Sequence, residues 1–213
     1  MYRYGWMLAG LLLLLGQDSF GQDEKKMNIH YMKMGSCFAA SRIKTPDATS
    51  GFAPSDNYPE SLLKATRAQA LNKILAQRNN IIIALVLDTI HAELFDKSYK
   101  GYELYLMNGT NTVLQLNAQD SRLNLLAEAW MDGRWQPIEY LPKVTCGNSR
   151  HKVNLPKQQY WKFTVPQYEG AIATRIRYRL ALPNGAFIYS NGVKTSINKE
   201  QLTIKEEDVK VQK

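Results

Sequence analysis

Three turn pairs, each set between runs of alternating polarity, constrain this chain more than any other feature. Asn108-Gly109 separates ELYLM from TNTVLQL, Asp132-Gly133 separates LLAEAWM from RWQPIEY, and Asn184-Gly185 separates TRIRYRLALP from AFIYSN. Such pairs supply the positive φ angles that a tight hairpin requires. Ahead of them, Ile81 to Leu87 is a continuous apolar run with β-branched residues, the pattern of a buried strand. Further on, Trp161, Phe163 and Val165 alternate with Tyr160, Lys162 and Thr164, and HKVNL makes another short run. About seven to nine short strands with frequent turns predict a mainly β fold, an antiparallel sandwich. Little room remains for a βαβ unit after Ile81, which disfavours a nucleotide-binding α/β fold.

The chain ahead of Ile81 reads differently. Met27 to Met34 suits a short strand, and Thr45 to Pro59 is a loop rich in Pro, Ser, Asp and Gly. Asn57-Tyr58-Pro59-Glu60 has the form of a helix start, with Asn57 as cap and Glu60 three residues on, as in a capping box. Leu63, Thr66, Ala70 and Ile74, with Leu71 and Leu75, then recur at helical spacing up to Arg78. The expected organisation is a signal peptide at 1–21, an N-terminal extension with one short α-helix at 22–80, a β-sandwich at 81–202 and a charged tail at 203–213.

The signal assignment rests on Arg3, the apolar run Leu8 to Leu15, and the small residues Ser19 and Gly21 before Gln22. The run is shorter than the roughly 20 residues that a spanning helix needs, so no transmembrane segment is expected in the mature chain. Cleavage after Gly21 would leave about 190 residues, enough for one moderate domain. Export places the expected protein in the periplasm, at the cell surface or outside the cell. The formal net charge of +8 suits a partner such as an anionic glycan or another cell-envelope component, or simply solubility. Nucleic acid is not an expected partner. Two cysteines, Cys37 and Cys146, in an exported chain predict one disulfide. It would close a loop of about 110 residues, worth about 4–5 kcal/mol in the chain-entropy model. Two reduced, buried thiols are the alternative.

The strand count, the segment Leu155-Pro156 followed by Tyr160-Trp161-Lys162-Phe163, and the strand RIRYRLAL before a hairpin carry a resemblance. The region from about Ile81 to Leu202 resembles the immunoglobulin-like or fibronectin-type-III-like sandwiches of exported bacterial proteins. WQPIEY with TCGNSRH downstream also resembles a recurring secreted bacterial domain of uncharacterised function. The resemblance implies an architecture and no particular activity. The Cys…Trp…Cys spacing of true immunoglobulin domains is absent.

Gly35-Ser36-Cys37-Phe38-Ala39 is the sharpest local motif. It is similar to the GSCW segment of papain-like proteases, which would make Cys37 a nucleophile, His151 its base and Asn191 the orienting residue. Met34 and Tyr31 depart from that family, and Pro46 and Gly51 interrupt the helix that it places after the nucleophile. The same motif resembles a bacterial family named for its GSCFA start, with a lipase/esterase-type α/β fold, but no alternation of strands and helices follows it here. Half of a disulfide is the simpler role for Cys37.

No cofactor and no metal site is expected. His30, His91 and His151 lack an HxH or HxxxH partner, and no CxxC, P-loop, GxGxxG or GxSxG occurs. Glu128, Asp132 and Glu139 surround one predicted hairpin; a glycosidase pair is conceivable, while solvated strand residues explain them more simply. Asn108-Gly109-Thr110 fits an N-glycosylation sequon, and Asp88-Thr89-Ile90 resembles a bacterial O-glycosylation motif. Arg175, Arg177 and Arg179 alternate with Ile176, Tyr178 and Leu180, which puts three guanidinium groups on one strand face. They are the candidate binding residues for an anionic glycan, or an outward face balanced by acidic cross-strand neighbours. The expectation is thus a non-catalytic binding or structural protein. The alternatives are a hydrolase using Cys37 or surface carboxylates, and a glycan-binding module with Trp130, Trp135, Trp161 and Tyr140 aligned on one face.

Overall fold

The protein is described by a computed structural model over residues 25–39, 56–59, 83–143, 149–157 and 159–204. The expected signal segment, most of the expected helix (60–78), Cys146 and the residues beyond 204 lie outside the described residues. The described chain opens with β1 (Met27–Asn28), β2 (Lys33–Met34) and β3 (Asp56–Pro59), followed by β4 (Ile83–Phe95), β5 (Tyr99–Asn108), β6 (Leu114–Gln119) and β7 (Arg122–Leu123). Next come β8 (Leu125–Met131), β9 (Arg134–Pro137), β10 (Glu139–Tyr140), β11 (Arg150–Leu155) and β12 (Gln159–Pro166). The chain continues through β13 (Tyr168–Glu169), β14 (Ile172–Ala181), β15 (Phe187–Tyr189) and β16 (Val193–Ile197) to a 3-10 turn at Lys199–Leu202. No helix among the described residues is long and apolar enough to cross a membrane.

The fold is mainly β, as the turn pattern predicts, and its larger sheets are antiparallel. One sheet runs β3-β12-β5-β4; another runs β15-β14-β8-β9, with β16 also on β14; β11-β6-β7 forms a third. Inward residues of the two large sheets share one core. Leu85, Leu87, Leu104, Leu106, Trp161, Phe163 and Val165 come from the first, and Leu125, Ala127, Ala129, Ile176, Tyr178 and Leu180 from the second. This is the period-2 alternation of strands with one buried face. The first sheet also buries Val86, Tyr105, Met107 and Tyr160 on its other face.

Two expectations need correction. Asn57 does not start a helix: Asp56–Pro59 is a strand, with Tyr58 opposite Tyr160 of β12. The open backbone edge of β12 supplies ladder partners that the local capping signal ignores. Asn108-Gly109 is not a hairpin either, because β5 and β6 belong to different sheets. Asn108 is buried, and its side chain ties the crossing together. Its amide nitrogen donates to the carbonyls of Thr112 (2.8 Å) and of Leu155 (3.1 Å), while its oxygen accepts from the Thr110 hydroxyl (2.7 Å).

The other two turn pairs form hairpins. Asp132 (φ 50°) and Gly133 (φ 77°) are both left-handed, and Trp130 faces Trp135 across them. Gly185 (φ 83°) donates to Leu182 and closes the turn between β14 and β15. Two further left-handed pairs lack glycine: Asp96-Lys97 between β4 and β5, and Asp120-Ser121 between β6 and β7. β4 also reaches well past Leu87, through a register shift between Asp88 and Ala92.

The short N-terminal strands pair with strands from much later in the chain. β1 lies parallel to β13, and β2 parallel to β10. Asn198 secures this end: its amide nitrogen donates to Asn28 Oδ1 (2.7 Å) and the Ile29 carbonyl (3.0 Å), while its oxygen accepts from the Ala171 amide (3.0 Å).

Gly170 lies where this region is tightest. A β-carbon there would fall 2.2 Å from the Ile197 carbonyl carbon and 2.5 Å from the Asn198 nitrogen. Gly170→Ala must displace backbone, so urea denaturation should show a loss of about 1–3 kcal/mol. Gly133→Ala meets no atom within 4 Å but sits at φ 77°. It should lose only the left-handed backbone cost of about 1–2 kcal/mol and leave the β16 end intact.

Candidate functional site

The outward face of the β15-β14-β8-β9 sheet gathers the predicted arginines. Burying Ile176, Tyr178 and Leu180 turns Arg175, Arg177 and Arg179 outward. Cross-strand register then sets their neighbours: Arg177 faces Glu128, Arg179 faces Tyr189, and Arg175 faces Lys194. Trp130 and Trp135 face each other on β8 and β9, with ring centres 5.3 Å apart in an edge-on arrangement.

The result is a ladder of alternating cations and rings. Arg177 lies between the rings of Trp135 (4.3 Å) and Tyr189 (3.8 Å). Arg179 covers Phe187 at 4.6 Å, and Arg175 lies 5.9 Å from the centre of Trp130. The carboxylate of Glu128 holds the centre, 2.9 Å from Arg177 and 3.1 Å from Arg179. The predicted acidic balance is therefore present, but on two arginines of three. Among the described residues no carboxylate pairs with Arg175. Together with Lys194 opposite, it leaves one end of the face cationic. Trp130 remains exposed beside it, and Tyr189 and Phe187 remain exposed further along the face, by Arg177 and Arg179.

Sequence reasoning finds part of this face. Trp130 and Trp135 share it, but Trp161 and Tyr140 are buried and do not. Phe187, Tyr189 and Lys194 are missed: a two-residue Asn184-Gly185 loop would put Ser190 opposite Arg179, whereas the loop spans three residues, with Leu182 bonded to Ala186, and puts Tyr189 there.

Most residues of the catalytic readings have other partners in the fold. Cys37 is a free, buried thiol, so the expected disulfide is not seen; Cys146 lies outside the described residues. Burial, with the nearby Glu139, pushes the Cys37 pKa far above the ordinary thiol value, which disfavours the thiolate that a nucleophile needs. The Asn191 amide bonds both backbone groups of Leu87 (2.8 and 2.9 Å), and His151 lies between Ser121 and the Ser149 carbonyl. Glu139 is also committed inside the fold: it accepts from the Ala127 amide (3.1 Å) and the Tyr168 hydroxyl (2.6 Å). Asp132 is an exposed turn residue.

A second cluster was not foreseen. The register shift in β4 lets Asp88 accept from the Ile90 and His91 amides and meet His91 Nδ1 at 2.7 Å. Possible ligand atoms of Asp88, His91 and Glu103 lie within 4.8 Å of one another. However, the buried Glu103 already meets the Tyr105 hydroxyl and the Lys162 ammonium (3.2 Å), so a metal would have to displace an existing cation. The arrangement is that of an ion network linking β4, β5 and β12. Burial opposes ionisation of Glu103, but the bonds from Tyr105, Glu93 and Lys162 prevail and hold its pKa below the ordinary value.

Comparison with protein-family models, with curated proteins and with solved structures returned no match.

The ladder predicts an order of stability losses. Arg175→Gln should stay within about 0.5 kcal/mol of the parent, as an exposed charge away from special features does. Arg177→Gln removes one of the two cations on the buried Glu128 and should cost about 1–3 kcal/mol. Ile176→Ala, at the core, should cost about 2–5 kcal/mol. Urea midpoints of the three variants give the ranking, and a loss at Arg175 equal to that at Arg177 would contradict it.

Glu103 predicts an acid limb. Because its folded pKa lies below its unfolded one, its contribution to stability is complete above about pH 4.5 and is lost as the pH falls through the depressed folded value. In urea melts between pH 7 and 3, Glu103→Gln should flatten this part of the profile.

Proposed function

We propose that this protein is a non-catalytic binding module that takes an acidic glycan on the outward face of its five-stranded sheet. One observation carries the reading: exposed aromatic rings and an unbalanced cationic pair, Arg175 and Lys194, share one strip of surface. Rings offer apolar faces to a sugar, and guanidinium groups offer paired donors to a carboxylate or sulfate. Arg177 and Arg179 serve the site indirectly. Stacked on rings and bonded to Glu128, they fix the rotamers of Trp135, Tyr189 and Phe187 and so lower the entropy cost of binding. Placement in the cell envelope and an immunoglobulin-like or fibronectin-type-III-like lineage belong to the same proposal. They rest on the leader-like N-terminus and the pattern of short strands and turns. Catalysis by Cys37 or by Glu128 and Glu139 does not belong to it, because those groups are buried and Glu128 and Glu139 are bonded within the fold.

Titration with oligogalacturonate, against a neutral malto-oligosaccharide of equal length, tests the reading. The acidic oligomer should bind, and more weakly as salt rises. Trp130→Ala and Arg175→Gln should each weaken it by about fivefold or more, and Arg175→Gln should do so without lowering the melting temperature appreciably. Equal binding of the neutral oligomer, or undiminished binding by both variants, would remove this face as the site.

A further inference from the structure

A cavity of about 480 Å³ lies away from the aromatic ladder, beside β6, β7 and β11. Its lining is strongly cationic: Arg122, Arg150 and Lys152 contribute to it, together with His151 and the amides of Asn117 and Asn124. The volume lies within the range of small-molecule sites, about 300–1,000 Å³.

Arg122 is held in place by the fold. Its Nε donates to the Gly35 carbonyl at 2.7 Å, and its guanidinium stacks on Phe38 at 4.6 Å. With Nε engaged and no other hydrogen bond from this side chain among the described residues, the two Nη groups form a fork for a ligand oxygen pair. Among the described residues, neither Arg122 nor Arg150 forms an ion pair. Asp120, in the β6–β7 turn, is the carboxylate that acts on Arg122, and only through its longer-range field. Lys152 reaches the Gln115 side chain at 2.9 Å from an exposed position, which leaves its ammonium further donors. Three cations round one hollow repel one another, and an anion between them relieves that repulsion.

We propose that this cavity binds a small molecule bearing a tetrahedral oxyanion, a phosphate or sulfate ester of a sugar. Arg122 supplies the preorganised fork, and Arg150 and Lys152 close on the anion from the cavity mouth. Asn117 and Asn124 offer amide donors and acceptors to neighbouring hydroxyls. The site is separate from the ladder and does not depend on the function proposed for it.

Isothermal titration of the full chain with glucose 6-phosphate, inorganic sulfate and glucose tests the assignment. Glucose 6-phosphate should saturate the protein with one site, glucose should not bind, and inorganic sulfate should bind more weakly than the ester. The double variant Arg150→Gln with Lys152→Gln should weaken the ester by about tenfold or more, since both side chains are exposed and their loss leaves the fold intact. Arg122→Gln should abolish binding, but it also loses the Gly35 and Phe38 contacts, so the double variant carries the decision. Arg175→Gln, on the ladder, should bind glucose 6-phosphate as the parent does. No saturable binding of the ester up to about 10 mM, a range that reaches well past millimolar affinity, overturns the proposal. Undiminished binding by the double variant overturns it too. Equal affinity for inorganic sulfate overturns the sugar-ester assignment.

Discussion

A buried carboxylate joins the layers of this protein. Glu139 lies almost wholly out of solvent, where an unpaired charge would be strongly destabilising. Its two oxygens reach different parts of the fold: one accepts the backbone amide of Ala127 on β8, the other the hydroxyl of Tyr168 on β13. The first bond matters because the Ala127 carbonyl is taken by Ile138, just before β10. The side chain thus completes a backbone ladder interrupted where β9 passes into β10. Its field also reaches Cys37, Tyr168 and Tyr178, all buried, and helps to keep each of them protonated. Cys37 and Ala39 of the 35–39 motif are packed into the core, and Ser36 and Phe38, beside and between them, are half-buried.

The same division between inside and outside shapes the ladder. Once Ile176, Tyr178 and Leu180 are committed to the core, pleating leaves the arginines no other direction. Glu128 and the rings then turn adjacent like charges into a fixed array. The array is uneven, because one carboxylate serves two arginines and the third stands beside Lys194. That asymmetry separates a self-satisfied part of the surface from a part with charge to spare.

The legible parts of the sequence were those governed by local chemistry. Asp132-Gly133 and Asn184-Gly185 encode their turns directly, and the alternation through Arg175 to Leu180 encodes its own faces. Asn108-Gly109 has the same letters but a buried Asn that bonds to Leu155, so a distant strand overrides the turn preference. Asp96-Lys97 and Asp120-Ser121 take left-handed conformations without glycine, because the strands on either side hold them there. The strand at Asp56–Pro59 owes its form to the edge of β12, about which Asn57 and Pro59 carry no signal. For the candidate site, the arginines were visible, whereas Tyr189, Phe187 and Lys194 join them only through strand pairing.

The parallel pairing of β1 with β13 and β2 with β10 has a kinetic meaning. The first described strands find their partners only among residues far later in the chain, and Asn198 binds Asn28 and Ile29 across separations of 170 and 169 positions. Closing such distances costs loop entropy before any contact repays it, so folds dominated by remote pairings form slowly. Here the two ends of the described chain meet in one seam. Until β16 and the turn after it are available, β1 has an incomplete place to dock, and the edge that it covers stays open to other strands.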